Sequence, residues 1–473
     1  MRSVGSEADA MITQTPIPGL LVVDLTVHGD SRGWFKENWQ RQKMTAAGLP
    51  DFGPVQNNIS FNDAVGTTRG IHAEPWDKYV SVASGRIFGA WVDLREGPTF
   101  GVVFTAEIDA SKAIFVPRGV GNSYQTLEPG TAYAYLVNDH WSADATYSFL
   151  NLADETADIA WPIPLDEAEL SEKDRAHPGL DNVTPVPRRK TLVTGADGQL
   201  GRALRALHGD QPHIEYADRA DLDLTSTRLE DARRWHDYDT IINAAAYTAV
   251  DTAETADGRP LAWAVNAAAP AQLARIADDH GITLVHVSSD YVFDGTSERA
   301  YREDDPLGPL GVYGQSKAAG DLAVATARRH YIIRTSWVIG DGANFVRTMV
   351  SLAARGIHPK VVDDQTGRLA FTADIAAGIR HLLDSAAPYG TYNLTSAGEP
   401  STWADIARDV FRLTGHDPTH ITPTSTADYF AAAAGAVAPR PRNSVLDLDK
   451  IEATGFIPRD SANALESYLA SDL

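Results

Sequence analysis

The chain has 473 residues, 43% of them hydrophobic and 22% charged, which are globular values at a length suited to two or three domains. A net charge of −22 argues against nucleic acid and against an anionic membrane surface, so neither is expected as a partner. Cysteine is absent, which excludes disulfides, thiolate catalysis and cysteine-ligated zinc. No apolar run approaches the ~20 residues of a membrane span. Met1 to Ala10 lacks a basic end followed by an apolar core, so no secretion signal is expected and the cytoplasm is the expected compartment.

Residues 11 to about 165 read as short strands separated by Gly, Pro, Asn and Asp. Strands are expected at Leu20–Leu25, Tyr79–Val82, Ile87–Val92, Gly101–Phe104, Ala113–Val116 and Ala132–Val137, with one short helix at Arg41–Ala47. Even spacing of short strands predicts an antiparallel sandwich or barrel. His177 to Arg189 holds three prolines and no periodicity, and reads as a linker (177–189) between a first domain (11–180) and a second (190–473).

After residue 190 strands alternate with alanine-rich helices. Strands are expected at Thr191–Thr194, His213–Tyr216, Thr240–Asn243, Thr283–Ser288, Tyr331–Arg334 and Lys360–Val362, and helices at Leu261–His280 and Ser316–Arg329. This alternation predicts a parallel, doubly wound sheet of the Rossmann type. Its first turn is Thr191-Leu-Val-Thr-Gly-Ala-Asp-Gly-Gln-Leu-Gly201, with Gly195, Gly198 and Gly201 at G-x-x-G-x-x-G spacing between strand and helix. Glycine there lets backbone approach a pyrophosphate, and the helix N-terminus offers free N–H groups. Asp197, Gln199 and Leu200 belong to the same turn. Asp218, at the end of the second strand, suits ribose hydroxyls and NADH, whereas the adjacent Arg219 suits a 2′-phosphate and NADPH, so the cofactor stays open between the two. Asp223 and Leu224 are placed near the adenine. Ala244, Ala245 and Ala246 end the third strand with residues small enough for backbone to lie against a cofactor.

Tyr313 and Lys317, four apart, share a helix face. A cationic Lys317 is expected to lower the phenol pKa, so that Tyr313 protonates a carbonyl oxygen while nicotinamide delivers hydride. Ser289 would hydrogen-bond the same oxygen. In the first half, His72, Lys78 and Tyr135 form a different set. Epimerising a carbon beside a ketone needs a base on one face, an acid on the other and a cation for the enolate. Without a His-x-His pair or a matching Glu set, no metal is expected.

Two resemblances sharpen this. Residues 190–473 resemble the extended short-chain dehydrogenases, most closely the dTDP-4-dehydrorhamnose reductases, through Asn243-Ala-Ala-Ala-Tyr-Thr-Ala-Val-Asp, Ser289-Asp-Tyr-Val-Phe, Tyr313-Gly-Gln-Ser-Lys317, Arg334-Thr-Ser-Trp337-Val, Asn344-Phe-Val-Arg-Thr-Met, Asp364-Gln-Thr-Gly and Arg440-Pro-Arg-Asn-Ser. The resemblance implies that Asp290, Trp337, Asn344 and Arg440 meet a nucleotide sugar. Ser289 stands where threonine is usual and keeps the hydroxyl. Residues 11 to about 180 resemble the dTDP-4-dehydrorhamnose 3,5-epimerases, cupin-like jelly rolls, through Asp30-Ser-Arg-Gly-Trp-Phe, Gln56-Asn-Asn-Ile-Ser, Arg69-Gly-Ile-His72, Val92-Asp-Leu-Arg95, Gly97-Pro-Thr-Phe-Gly, Val116-Pro-Arg-Gly119 and Ser171-Glu-Lys-Asp174. That implies His72 as base, Asp174 as its orienting partner, Lys78 at the enolate oxygen and Tyr135 as opposing acid. Arg32 and Arg69 would meet the diphosphate, with Gln56 and Asn58 among the substrate contacts.

The first half also departs from its family. Asn122 stands where that family has a histidine and Gly89 where an aspartate is common, a coupled loss of a pair. Together the resemblances imply a bifunctional enzyme of dTDP-L-rhamnose synthesis, working on a dTDP-keto-sugar with NADPH or NADH and dimerising through its cupin half. The alternatives are a cupin half that only binds or dimerises, epimerisation at a single carbon, the same chemistry on another nucleotide sugar, and a regulatory subunit. The intact Ser289, Tyr313 and Lys317 argue against the last.

Overall fold

The computed structural model describes residues 11–140, 147–431 and 435–472. The first ten residues and most of the alanine run that begins at Ala431 lie outside the described residues. The chain divides into two compact units, Met1–Arg188 and Arg189–Leu473.

The first unit contains β1 (Met11–Gln14), β2 (Leu21–Asp24), β3 (Val27–Asp30), β4 (Gly33–Lys36), α1 (Arg41–Ala46), β5 (Gln56–Asn62), β6 (Thr68–Ala73), β7 (Lys78–Ser84), β8 (Ile87–Asp93), β9 (Val103–Ile108), β10 (Lys112–Val116), β11 (Val120–Thr126), β12 (Thr131–Val137), β13 (Ser148–Phe149) and α2 (Glu172–Arg175). A six-stranded sheet, β1-β2-β10-β7-β12-β5, faces a five-stranded one, β13-β6-β11-β8-β9, with antiparallel pairing throughout. This is the expected antiparallel sandwich.

Alternation along each strand builds three apolar layers. Ile17, Val80, Ile87, Trp91 and Ile114 fill one cluster, Tyr79 and Phe115 pack with Met44 of α1 in a second, and Ile71, Val92 and Leu94 pack against Leu150, Leu180 and Val183 in a third. The last cluster corrects the linker reading. His177, Leu180 and Val183 are buried, and Val186 N–H donates to the Leu94 carbonyl at 2.7 Å. Prolines without periodicity therefore mark a strap lying on the first unit as far as Val186.

The second unit has a parallel six-stranded sheet. Its strands are β14 (Lys190–Thr194), β15 (Ile214–Ala217), β16 (Tyr238–Asn243), β17 (Thr283–Ser289), β18 (His330–Thr335) and Gly390–Asn393, in the order β15-β14-β16-β17-β18-(390–393). Helices α3 (Gln199–His208), α4 (Gly258–Trp263), α5 (Ala269–Asp279), α6 (Val312–Val324), α7 (Phe345–Ala354), α8 (Thr372–Asp384) and α9 (Trp403–Leu413) follow in chain order. A π-turn at Ala264–Ala268 joins α4 to α5 in one helical run. Leu273 and Ile276 of α5 cover one face of the sheet, and Leu204 of α3 with Ile379 and Leu382 of α8 cover the other. A separate cluster of α7 and α9, with Val346, Met349, Val410 and Phe411, forms a smaller lobe. Lys360–Val362, expected in the main sheet, instead pairs with Thr422–Thr424 in this lobe, and Gly390–Asn393 takes the sixth place. Among the described residues no helix is long and apolar enough to cross a membrane.

Candidate active sites

In the second unit the glycine turn joins β14 to α3. Gly195 has φ +68°, and a Cβ there would stand 2.7 Å from the backbone of Ala245, so only glycine lets the two strand ends approach. At Gly201 a Cβ would fall 2.3 Å from the Gly195 carbonyl oxygen; this glycine seats the helix on the turn and does not line the cavity. The turn opens into a cavity of about 970 Å³. Asp197, Gly198, Gln199 and Leu200 line it beside Gly195; Asp218, Arg219, Asp223 and Leu224 line it from the second strand, and Ala244, Ala245 and Ala246 from the third. These residues lie at the C-terminal ends of parallel strands, where such sheets bind dinucleotides. Their free helix N-terminus and small side chains fit a dinucleotide.

Ser289, Asp290, Tyr313, Lys317 and Trp337 line the same cavity. Glu254 Oε1 accepts the Val312 N–H at 2.7 Å, which caps α6 and fixes Tyr313 in its first turn. The helix starts four residues earlier than its alanine pattern suggested. The Ser289 hydroxyl donates to Asp290 Oδ1 at 2.9 Å, accepts the Tyr291 N–H at 3.2 Å, and lies beside the Tyr313 phenol.

The electrostatics correct one expectation. Burial pushes Tyr313 up to about 12, the Ser289 hydrogen bond only partly opposing it. The Lys317 ammonium donates to the Val287 carbonyl at 2.5 Å, and its charge does not offset that burial. Burial pushes Lys317 itself down to about 8 and Asp290 up to about 6. Tyr313 is thus held protonated, the state a proton donor needs.

Trp337 sits at φ +42° with its ring stacked on Trp403 at 3.8 Å. Trp403, which the sequence reading missed, also lines the cavity. Two other expected sugar contacts are engaged elsewhere. Asn344 caps α7 by accepting the Arg347 N–H at 3.0 Å, and its amide donates to Gly340 and Tyr468. Arg440 donates from one guanidinium nitrogen to both carboxylate oxygens of Asp251 at 2.8 Å. Neither lines the cavity.

In the first unit His72 lies on β6 and Asp174 on α2, whose N-cap Ser171 accepts the Asp174 N–H at 3.0 Å. His72 Nε2 lies 3.0 Å from Asp174 Oδ1. Burial works to raise the Asp174 carboxyl, but the hydrogen bond and charge of His72 outweigh it and leave it below its ordinary value. With Nε2–H turned to the carboxylate, Nδ1 keeps the free lone pair.

From the facing sheet, Lys78 Nζ lies 5.0 Å over the ring of Tyr135. Burial pushes Lys78 down to about 7, while the Glu74 carboxylate in contact with it favours the ammonium. Glu74 was missed, because it lies in a non-helical turn before β7, where a spacing of four from Lys78 carries no signal. Burial also raises Tyr135, and Arg69 partly opposes this. Arg69 Nε donates to Asn62 Oδ1 at 3.1 Å, and Gln56 and Asn58 bond to each other on β5. Arg32 stands apart: it lies at the tip of the β3–β4 hairpin, paired locally with Asp30, its side chain 87% exposed.

The coupled departure has a physical account. Trp91 lies across Gly89, where a Cβ would meet its ring at 2.2 Å, and its indole N–H donates to Asn122 Oδ1 at 2.9 Å. The Tyr133 hydroxyl donates to the same oxygen at 3.1 Å. An indole fills the space that a side chain on residue 89 would need, and an amide serves both donors.

The family described as RmlD substrate binding domain matches residues 189–473, and the family described as dTDP-4-dehydrorhamnose 3,5-epimerase matches residues 14–182. A protein RmlC homolog of Streptococcus pyogenes serotype M6 is 53% identical over 36% of this chain and 89% of its own length. The chain belongs to both families. A dTDP-4-dehydrorhamnose reductase of Streptomyces griseus is 41% identical over 58% of this chain and 91% of its own. The crystal structure of dTDP-4-dehydrorhamnose reductase from Bacillus anthracis in complex with NADP matches 60% of this chain and all of that one, with 31% identity and a TM-score of 0.55. A reductase-family unit thus follows an epimerase-family unit in one polypeptide.

Proposed function

We propose that the two units of this dTDP-rhamnose pathway enzyme act in turn on one keto-sugar: the first inverts C3 and C5 of a dTDP-4-keto-6-deoxyglucose, and the second reduces the C4 ketone with NAD(P)H. The observation that carries this is the pairing, in one chain, of a His72–Asp174 base with a cavity holding Ser289, Tyr313 and Lys317 beside a dinucleotide turn.

In the first unit His72 Nδ1 takes the proton from the carbon beside the ketone while Asp174 balances the imidazolium. Lys78, beside the Glu74 carboxylate, stabilises the enolate oxygen in its ammonium form, and protonated Tyr135 returns a proton to the opposite face. No oxidation occurs. In the second unit, when bound, the nicotinamide supplies the hydride. Tyr313 gives its proton to the carbonyl oxygen, Ser289 holds that oxygen, and Lys317 balances the phenolate formed. Epimerisation beside a ketone is reversible, so removing the ketone draws it forward.

We further propose a homodimer through the first unit. Trp34 and Phe35 on the β3–β4 hairpin and Ile59 and Phe61 on the edge strand β5 are 48%, 69%, 66% and 60% exposed, a cost that a second copy removes. Arg32 shares that hairpin, so its contact with a diphosphate would be made across the interface. Trp34→Ser with Phe35→Ser should leave a monomer in sedimentation; an unchanged dimer would refute the surface.

The functional test is product analysis by NMR. The keto-sugar in deuterated water should gain label at C3 and C5 without cofactor and become dTDP-L-rhamnose when NADPH is added. Reduction without any label would leave only the reductase.

A further inference from the structure

His177 is the buried titratable residue that this proton transfer leaves unused. Its side chain is 6% exposed, its ring stacks on Phe149 at 4.7 Å and it stands edge-on to His72 at 5.4 Å. Among the described residues neither ring nitrogen has a hydrogen bond of good geometry, although the Leu150 carbonyl, which accepts the Ile71 N–H at 3.3 Å, has a second lone pair that the ring can reach through one nitrogen. A buried polar atom left empty costs about 1–3 kcal/mol, so the nitrogen that Leu150 does not serve points to a ligand. Its Nε2 lies 3.8 Å from Asp174 Oδ1, the oxygen that His72 Nε2 meets at 3.0 Å. One donor atom from each of the three lies within 4.8 Å of the others. Metal–nitrogen bonds of about 2.0–2.1 Å around a tetrahedral ion set such atoms roughly 3.3 Å apart, so the separation of 3.8 Å must close by about 0.5 Å and the one between the two imidazoles by up to about 1.5 Å. Two imidazoles and one carboxylate suit zinc and its transition-metal neighbours better than magnesium or calcium.

We propose that His72, Asp174 and His177 form a binding site for a divalent ion of the zinc type, and that its occupation switches the first unit off. The second half of this rests on the reading of His72 as the base. A metal on Nε2 displaces that nitrogen's proton, and the neutral ring then carries its proton on Nδ1. No lone pair remains to take a proton from the sugar, and Asp174 no longer partners the imidazole. Metal binding and proton abstraction are therefore exclusive at one side chain.

The test uses the chelator-stripped full chain with Co²⁺ as the probe. One equivalent should give a visible ligand-field band, deuterium incorporation into the keto-sugar should fall in step by roughly tenfold or more, and chelator should restore it. His177→Phe keeps the stack on Phe149 and removes both nitrogens. It should lack the band and keep its exchange in the presence of Co²⁺. His72→Phe should also lack the band, which preserves the spectral test if the first variant folds poorly. No stoichiometric band in the wild type, a band that survives in either variant, or exchange that continues with the ion bound would overturn the proposal. Metal-free wild type that binds Co²⁺ but shows no exchange would instead remove the base assignment and leave the metal site standing.

Discussion

His72 Nε2 meets Asp174 Oδ1 at 3.0 Å, and the carboxylate is fixed to receive it because Asp174 sits in the first turn of a short helix capped by Ser171. The pair needs the negative charge as well as the geometry. Asp174→Asn keeps the size and removes the charge, so the imidazolium formed on proton abstraction loses its balance. Label exchange at both carbons should fall by about 10²–10⁴, with reduction of pre-epimerised sugar unchanged. Wild-type exchange in this variant would show that the base lies elsewhere.

Tyr313 is held protonated by burial, with a pKa near 12, and is poised as a donor. Tyr313→Phe should cut NAD(P)H oxidation by roughly 10²-fold or more while deuterium incorporation continues. Loss of incorporation as well would mean that the two sites do not work independently.

Much of this was legible in the residues. The glycine turn, the strand–helix alternation and the Tyr313–Lys317 spacing are local signals, because backbone sterics and helical period write them directly into the chain. The polar strands β5, β6 and β11 were not legible as strands. Thr68 and Gln125 are buried and bonded to each other at 3.1 Å, so polarity there marks a satisfied interior network and not a loop. The sixth strand, Gly390–Asn393, has only four residues, too few to show a period. Asn344 and Arg440 carried the right chemistry for a sugar, yet a helix cap and the Asp251 carboxylate claim them, and only tertiary contacts reveal that. The direction of the Lys317 ammonium was illegible for a related reason. The spacing sets the helix face, but the Val287 carbonyl decides where the ammonium points.

Lys317 also sets a pH limit. Burial brings its pKa down to about 8, so the ammonium that balances the Tyr313 phenolate is present below that pH and lost above it. Tyr313, near 12, adds no limb in the accessible range. The kcat/KM for reduction should hold on the acid side and decline as pH rises through about 8, while Lys317→Met should give a low, flat profile. A wild-type profile that is level to pH 10 would remove Lys317 from the proton-transfer step.

Cofactor choice turns on two neighbours. Asp218 Oδ1 accepts the Ala220 and Asp221 N–H groups at 2.7 and 3.0 Å, so one carboxylate oxygen is committed to the turn. Arg219 lines the cavity, close enough to Asp223 for its charge to lower that carboxyl. Arg219→Ala should raise KM for NADPH by about tenfold to a hundredfold, the range of a charged hydrogen bond to phosphate, and change KM for NADH little. Equal losses with both cofactors would assign Arg219 to the shared part of the dinucleotide.

Asp290 gives a stability prediction whose sign follows from its burial. It is 3% exposed and pushed up to about 6, with hydrogen bonds from Ser444 and Ser289 opposing the shift. A folded pKa above the unfolded value of 3.8 means that the folded state holds more protons between those two values. Stability therefore falls as pH rises through that window, and the loss is complete above about 6. Asp290→Asn removes the charge but keeps an oxygen to accept the Ser289 hydroxyl. The unfolding midpoint of the second unit should rise at pH 7.5 by an amount equivalent to at most about 3 kcal/mol. The gain should disappear near pH 4, where the wild-type carboxyl is already neutral. A gain that is the same at both pH values would show that packing, and not the buried charge, separates the two proteins.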